Sequence, residues 1–138
     1  MKLKGDKKMA KAGDSYVVEL RENHLAWGIY RYTASRTPRS GEAYLPIPIE
    51  YARKYKIYNG NATHQADIIG ENIFWCETIG TYLKAQGSAD QGSVYAKQFA
   101  VNDNLKGFGE WYRAVGAKPG DHVRVVWTTP NDIKIELI

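Results

Sequence analysis

The sequence predicts a mostly β domain with two short helices, an α+β fold, and three observations predict it. Short runs of alternating apolar residues, or of aromatic and β-branched ones, recur along the chain. At Tyr44-Leu45-Pro46-Ile47-Pro48-Ile49-Glu50-Tyr51-Ala52-Arg53-Lys54-Tyr55 a strand runs straight into a helix, whose first turn Pro48 can open because its missing N–H is no loss there. Some sixty residues on, the corner is reversed. A helix stops at Gly116, Lys118-Pro119-Gly120-Asp121 turns, and Val123, Val125 and Trp127 alternate along a new strand.

Taken in order, residues 1–14 read as a Lys-rich leader without apolar periodicity, expected to be disordered, and 15–138 as one domain. Ser15 to Leu20 reads as the first strand and Leu25 to Tyr32 as the second. Between that strand and Leu45 lies Thr33 to Glu42, a polar segment rich in hydroxyls with Arg36 and Arg39 in it and Arg31 just before, expected to be an exposed arm. The first helix should span Ile49 to Lys56 and stop before the turn cluster Asn59-Gly60-Asn61. Ala66 to Gly70 is a candidate short strand; Ile73 to Leu83 reads as a strand broken at Gly80, with Val94 to Val101 as its antiparallel partner. The tip between them, Lys84 to Ser93, has no large apolar side chain and is expected to project into solvent. Asn102-Asp103-Asn104 can cap a second helix through Val115, with Leu105, Phe108, Trp111, Tyr112 and Val115 at helical spacing as core. Val123 to Trp127 and Ile133 to Leu137, joined by Thr129-Pro130-Asn131-Asp132, make a final hairpin.

The 138 residues carry a formal charge of +4. Lys2, Lys4, Lys7, Lys8 and Lys11 against Asp6 account for all of it, so the rest of the chain is neutral and bulk basicity says little about partners. What matters is local clustering of cations. No apolar run approaches the length of a membrane span and the Lys-rich start lacks a signal peptide's apolar stretch, so an intracellular protein without a membrane partner is expected. The single cysteine, Cys76, lies in the apolar run Ile73 to Cys76 and reads as a buried, inert thiol.

Enzymatic constellations are absent from the sequence pattern, and no catalytic residue, metal ligand set or cofactor is expected. His24, His64 and His122 are scattered, without Cys or carboxylate neighbours at zinc-ligand intervals. Asp132-Ile133-Lys134-Ile135-Glu136 has the residue types of a nuclease site in the wrong order, and alternating charges on an exposed strand explain it. Gly107-Phe108-Gly109 lacks the lysine and the preceding strand of a phosphate loop. A nucleic-acid binding protein and a protein-interaction module are the readings left.

An aromatic strand, a polar arm, the Leu45-Pro46-Ile47-Pro48 corner, then Lys106-Gly107-Phe108-Gly109-Glu110-Trp111-Tyr112 and Ala117 to Val123, in that order, resemble the DNA-binding pseudobarrel family. That family includes the plant B-three domain and the recognition domains of EcoRII-type and BfiI-type restriction endonucleases. The resemblance implies a seven-stranded open barrel that grips double-stranded DNA in the major groove between two arms. By position, the first arm supplies Arg31, Thr33, Ser35, Arg36, Thr37 and Arg39, and the second Lys84, Gln86, Ser88, Asp90, Gln91 and Ser93, with Lys97 close behind. The plant Trp-Asn-Ser-Ser signature is missing from the second arm, which leaves the bases read undetermined. The Leu-Pro-Ile-Pro and Lys-Pro-Gly-Asp-x-Val signals also resemble AbrB-type dimeric transition regulators, where they sit almost adjacent. Here the intervening strands suffice for one chain to close its own barrel. A protein-interaction module pairing through an exposed strand edge is the third reading.

Overall fold

Alternation between inward and outward side chains builds most of the strands, as seen in a computed structural model that describes residues 10–25, 42–61, 67–88 and 93–138. The strands are β1 (Ser15–Glu19), β2 (Leu45–Pro46), β3 (Ile73–Cys76), β4 (Thr81–Gln86), β5 (Gln98–Val101), β6 (His122–Trp127) and β7 (Asp132–Leu137). The helices are α1 (Glu22–Leu25), α2 (Ile49–Lys54) and α3 (Gly107–Val115). The protein is mostly β with short helices, an α+β fold, and it has three helices among the described residues where the sequence predicted two.

Among the described residues one seven-stranded sheet runs in the order β1-β6-β7-β3-β4-β5-β2. All neighbours are antiparallel except β3 and β7, which pair in parallel through Trp75 with Asp132 and Cys76 with Ile133. The sheet curls until its two end strands meet through side chains. Tyr16 on β1 donates its hydroxyl to the Pro46 carbonyl on β2 at 3.1 Å, and Tyr55, just past α2, donates to the Ser15 carbonyl at 2.9 Å. Inside the curl lies one apolar cluster in which Tyr16, Leu45, Phe74, Leu83, Phe99, Phe108 and Trp127 are fully or almost fully buried. Each such side chain contributes about 1.5–3 kcal/mol of burial. Trp127 is the hub, its ring centroid 5.1 Å from Tyr55, 6.0 Å from Phe74 and 6.2 Å from Tyr16.

Both corners form as their residues dictate. Pro48 precedes α2, and Gly116 ends α3 in the left-handed region at φ 70, where its N–H bonds the Arg113 carbonyl. Tyr112 on α3 donates to the Tyr44 carbonyl at 2.8 Å, which fastens that helix to the start of β2. The Phe108 and Tyr112 stripe is core, while Trp111 is half-buried and Val115 is exposed, so the helix's last turn leaves the core that its spacing predicted.

Several expected elements differ. Leu25 closes a short helix instead of opening a strand, because the backbone of His24 and Leu25 folds back onto the Arg21 carbonyl; residues 26–32 lie outside the described residues. Helix α2 ends at Lys54 rather than Lys56, whose φ of 55 turns the chain away. Ile69 makes an isolated bridge to Ile73 within a turn instead of a strand. The run from Ile73 to Leu83 is a hairpin, not one broken strand: Gly80 at φ 84 ends a turn held by its N–H on the Cys76 carbonyl, and β3 pairs with β4. The other neighbour of β4 is β5, whose pairing starts only at Gln98. Finally, Ala10 to Asp14, assigned to the leader by composition, pack on the sheet: Ala10 is buried, and Gly13 and Asp14 exchange backbone hydrogen bonds with Trp127 at 2.8 Å each.

Candidate nucleic-acid interface

Because Leu83, Ala85, Phe99 and Val101 point into the core, the residues between them, Lys84, Gln86, Gln98 and Ala100, share the outer face of β4 and β5. Gln86 and Gln98 are directly paired across the two strands and both are half-buried. Beside them opens a cleft of about 550 Å³ lined by Glu42, Lys84, Gln86, Asn102, Asn104 and Lys106 among others. These are chiefly amides and charges of both signs, the groups that hydrogen-bond base edges and phosphates.

The last residue of the first predicted arm, Glu42, and the base of the second, Lys84 and Gln86, meet at this cleft. The first predicted arm ends at Glu42, and close by the Tyr44 N–H bonds the His24 carbonyl at 3.4 Å. Glu42 is fully buried and accepts a hydrogen bond from the Tyr44 hydroxyl. His24 has its Nδ1 on the Arg21 N–H at 3.0 Å, and burial, followed by the Arg21 charge, lowers its pKa from the ordinary value. Arg31, Thr33, Ser35, Arg36, Thr37 and Arg39 lie outside the described residues.

Of the second arm, Lys84, Gln86, Ser88, Ser93 and Lys97 are described, whereas Asp90 and Gln91 lie outside. Its base does not project freely into solvent as composition suggested. Lys84 and Gln86 belong to β4, and Lys84 Nζ lies 3.4 Å from Asp67 Oδ1. Such a part-exposed pair contributes about 0–1 kcal/mol, so a phosphate can compete for the ammonium. Past Gln86 the ladder ends and the arm divides. The limb at 85–88 and the limb at 93–96 are separated by Ile57 to Asn61: the Ala96 N–H bonds the Ile57 carbonyl, Asn59 N–H the Val94 carbonyl, and Gly60 N–H the Ala85 carbonyl, at 2.9–3.0 Å. Tyr58 stacks on Tyr95 with centroids 5.8 Å apart. Missed in the sequence were Gln98, Asn102, Asn104 and Lys106, of which only Gln98 carried a signal, its alternation with buried Phe99.

Two carboxylates of the terminal strand have local partners. Glu136 on β7 pairs with Arg124 across the strands at 2.9 Å, and Asp132 accepts from the Thr129 hydroxyl at 2.9 Å. Among the described residues no three His, Cys, Asp or Glu are grouped so as to hold a metal ion, and no helix is long and apolar enough to cross a membrane. Cys76 is buried, and that burial raises its thiol pKa. The chain matches no protein-family model, no curated protein and no solved structure.

Proposed function

We propose that the chain binds double-stranded DNA sequence-specifically in the major groove through two arms, as a monomer without catalysis of its own, either as the recognition domain of a restriction endonuclease or as a stand-alone protein. The observation that carries this reading is the single cleft at which Glu42, the return point of the first arm, stands with Lys84 and Gln86, the base of the second. Arms rooted on opposite sides of the molecule could not close on one groove. Gln86 and its cross-strand partner Gln98 carry the amides that fork onto adenine N6 and N7, while Lys97 and Lys106, both exposed, suit phosphates, which position the protein without reading sequence. In this reading the curled sheet is the family's open pseudobarrel. The Tyr16 hydrogen bond between its end strands, and that of Tyr55 from the end of α2 to β1, support that, and they support a monomer, since one chain joins both ends of its own sheet.

Selection of bound duplexes from a random pool tests the proposal. One enriched short motif is expected, with Gln86→Ala relaxing base preference at one part of it by about 1–3 kcal/mol and leaving the fold intact. A pool that stays random after repeated rounds overturns the DNA reading and leaves the interaction module in its place.

A further inference from the structure

Asn59 is fully buried, yet it lies in the Asn59-Gly60-Asn61 segment whose composition alone signals an exposed turn. Its amide does three things at once. Nδ2 donates to the Ser88 carbonyl at 3.2 Å and to the Ser93 carbonyl at 3.0 Å, one on each limb of the second arm, while Oδ1 accepts the Asn61 N–H at 2.9 Å. Asn61 in turn donates its side-chain Nδ2 to the Gly87 carbonyl at 3.0 Å. Gly87 leaves the room this requires: a Cβ there would stand 2.9 Å from Asn59 Nδ2.

Only an amide meets these demands in this space. Two carbonyls facing one nitrogen call for two N–H donors, and the opposite side calls for an acceptor. Aspartate offers oxygen to both carbonyls, and serine has a single hydrogen to donate. The bonds fall where the β4–β5 ladder has already ended, at the Lys97 N–H on the Gln86 carbonyl, and among the described residues no backbone pairing between the limbs replaces them.

We infer that Asn59 is a positioning residue for DNA reading: by bridging Ser88 and Ser93 it fixes the separation of the two limbs of the second arm, and that separation sets which bases the arm meets. This rests on the DNA-binding reading above. The geometry gives the neck of the arm at Ser88 and Ser93 a fixed gauge, and Asn61 braces the same neck at Gly87.

The test compares wild-type protein with Asn59→Asp and Asn61→Ala, using two probes, the duplex enriched by wild type from a randomised pool and a scrambled duplex of equal composition. The preference for the enriched duplex should fall by roughly tenfold or more in Asn59→Asp, by less in Asn61→Ala, with affinity for the scrambled duplex within about twofold of wild type. A merely structural loss would lower both affinities together and leave their ratio unchanged. If Asn59→Asp does not fold, Asn61→Ala, which alters an exposed side chain, decides the matter by itself. Folded variants that keep the wild-type ratio overturn the inference and leave DNA binding standing. Failure of wild type to enrich any motif overturns both.

Discussion

Trp127 shows how one side chain can carry the interior. It ends β6, touches three other buried rings, and its backbone holds Gly13 and Asp14, so Trp127→Ala should cost about 3–5 kcal/mol in a urea unfolding series. Trp127→Phe should cost less than half of that. The indole N–H is buried without an acceptor among the described residues, and phenylalanine removes an unpaired donor along with the volume. A second residue-scale expectation concerns Tyr16 and Tyr112. Burial raises both phenols well above the ordinary tyrosine value, with the Tyr112 charge a further cause for Tyr16. The folded state therefore holds these protons more tightly than the unfolded one, so their contribution is fully present below about pH 10 and is lost as pH rises further. Tyrosinate absorbance should show both titrating together with unfolding, after the exposed tyrosines; early titration of either in folded protein would contradict the burial.

At the scale of elements, α3 is set by a contact at its first residue. A Cβ on Gly107 would stand 2.5 Å from Val101 Cγ2 on β5, so Gly107→Ala should destabilise by about 1–3 kcal/mol despite alanine's better helix propensity, measured as a shift in melting temperature. Val101→Ala in the same chain should recover part of it. The strands that alternate cleanly, β6 and β7, and the glycine stop at Gly116 were legible because each signal is local. The turn between β3 and β4 was not. Thr78 there both donates to the Ile135 carbonyl at 3.0 Å and accepts the Ile135 N–H at 2.9 Å, so a strand far along the chain helps fix it, and no periodicity in Ile73 to Leu83 carries that fact. For the same reason the arms could be placed as polar segments, whereas the bracing of one of them by Asn59 could not. Its partners are backbone carbonyls whose positions exist only after folding.

Across the whole molecule, two tyrosine hydroxyls close the curl of the sheet, Tyr16 from β1 to β2 and Tyr55 from the end of α2 to β1. Tyr16→Phe and Tyr55→Phe each remove one hydrogen bond and keep the ring, so each should cost about 0.5–1.5 kcal/mol in chemical denaturation. Because Tyr16 and Tyr55 both pack on Trp127, the double variant should depart from the sum of the two. A strictly additive result would mean that the two bonds act independently. The strand order carries one more consequence. Among the described strands β1 pairs only with β6, more than a hundred residues further on, so that stretch must leave the ribosome before β1 has a neighbour. Until then Tyr16 and Val18 travel as unpaired apolar sequence, a target for chaperones. Refolding from denaturant should be slow, since β1 must wait for a partner strand more than a hundred residues away.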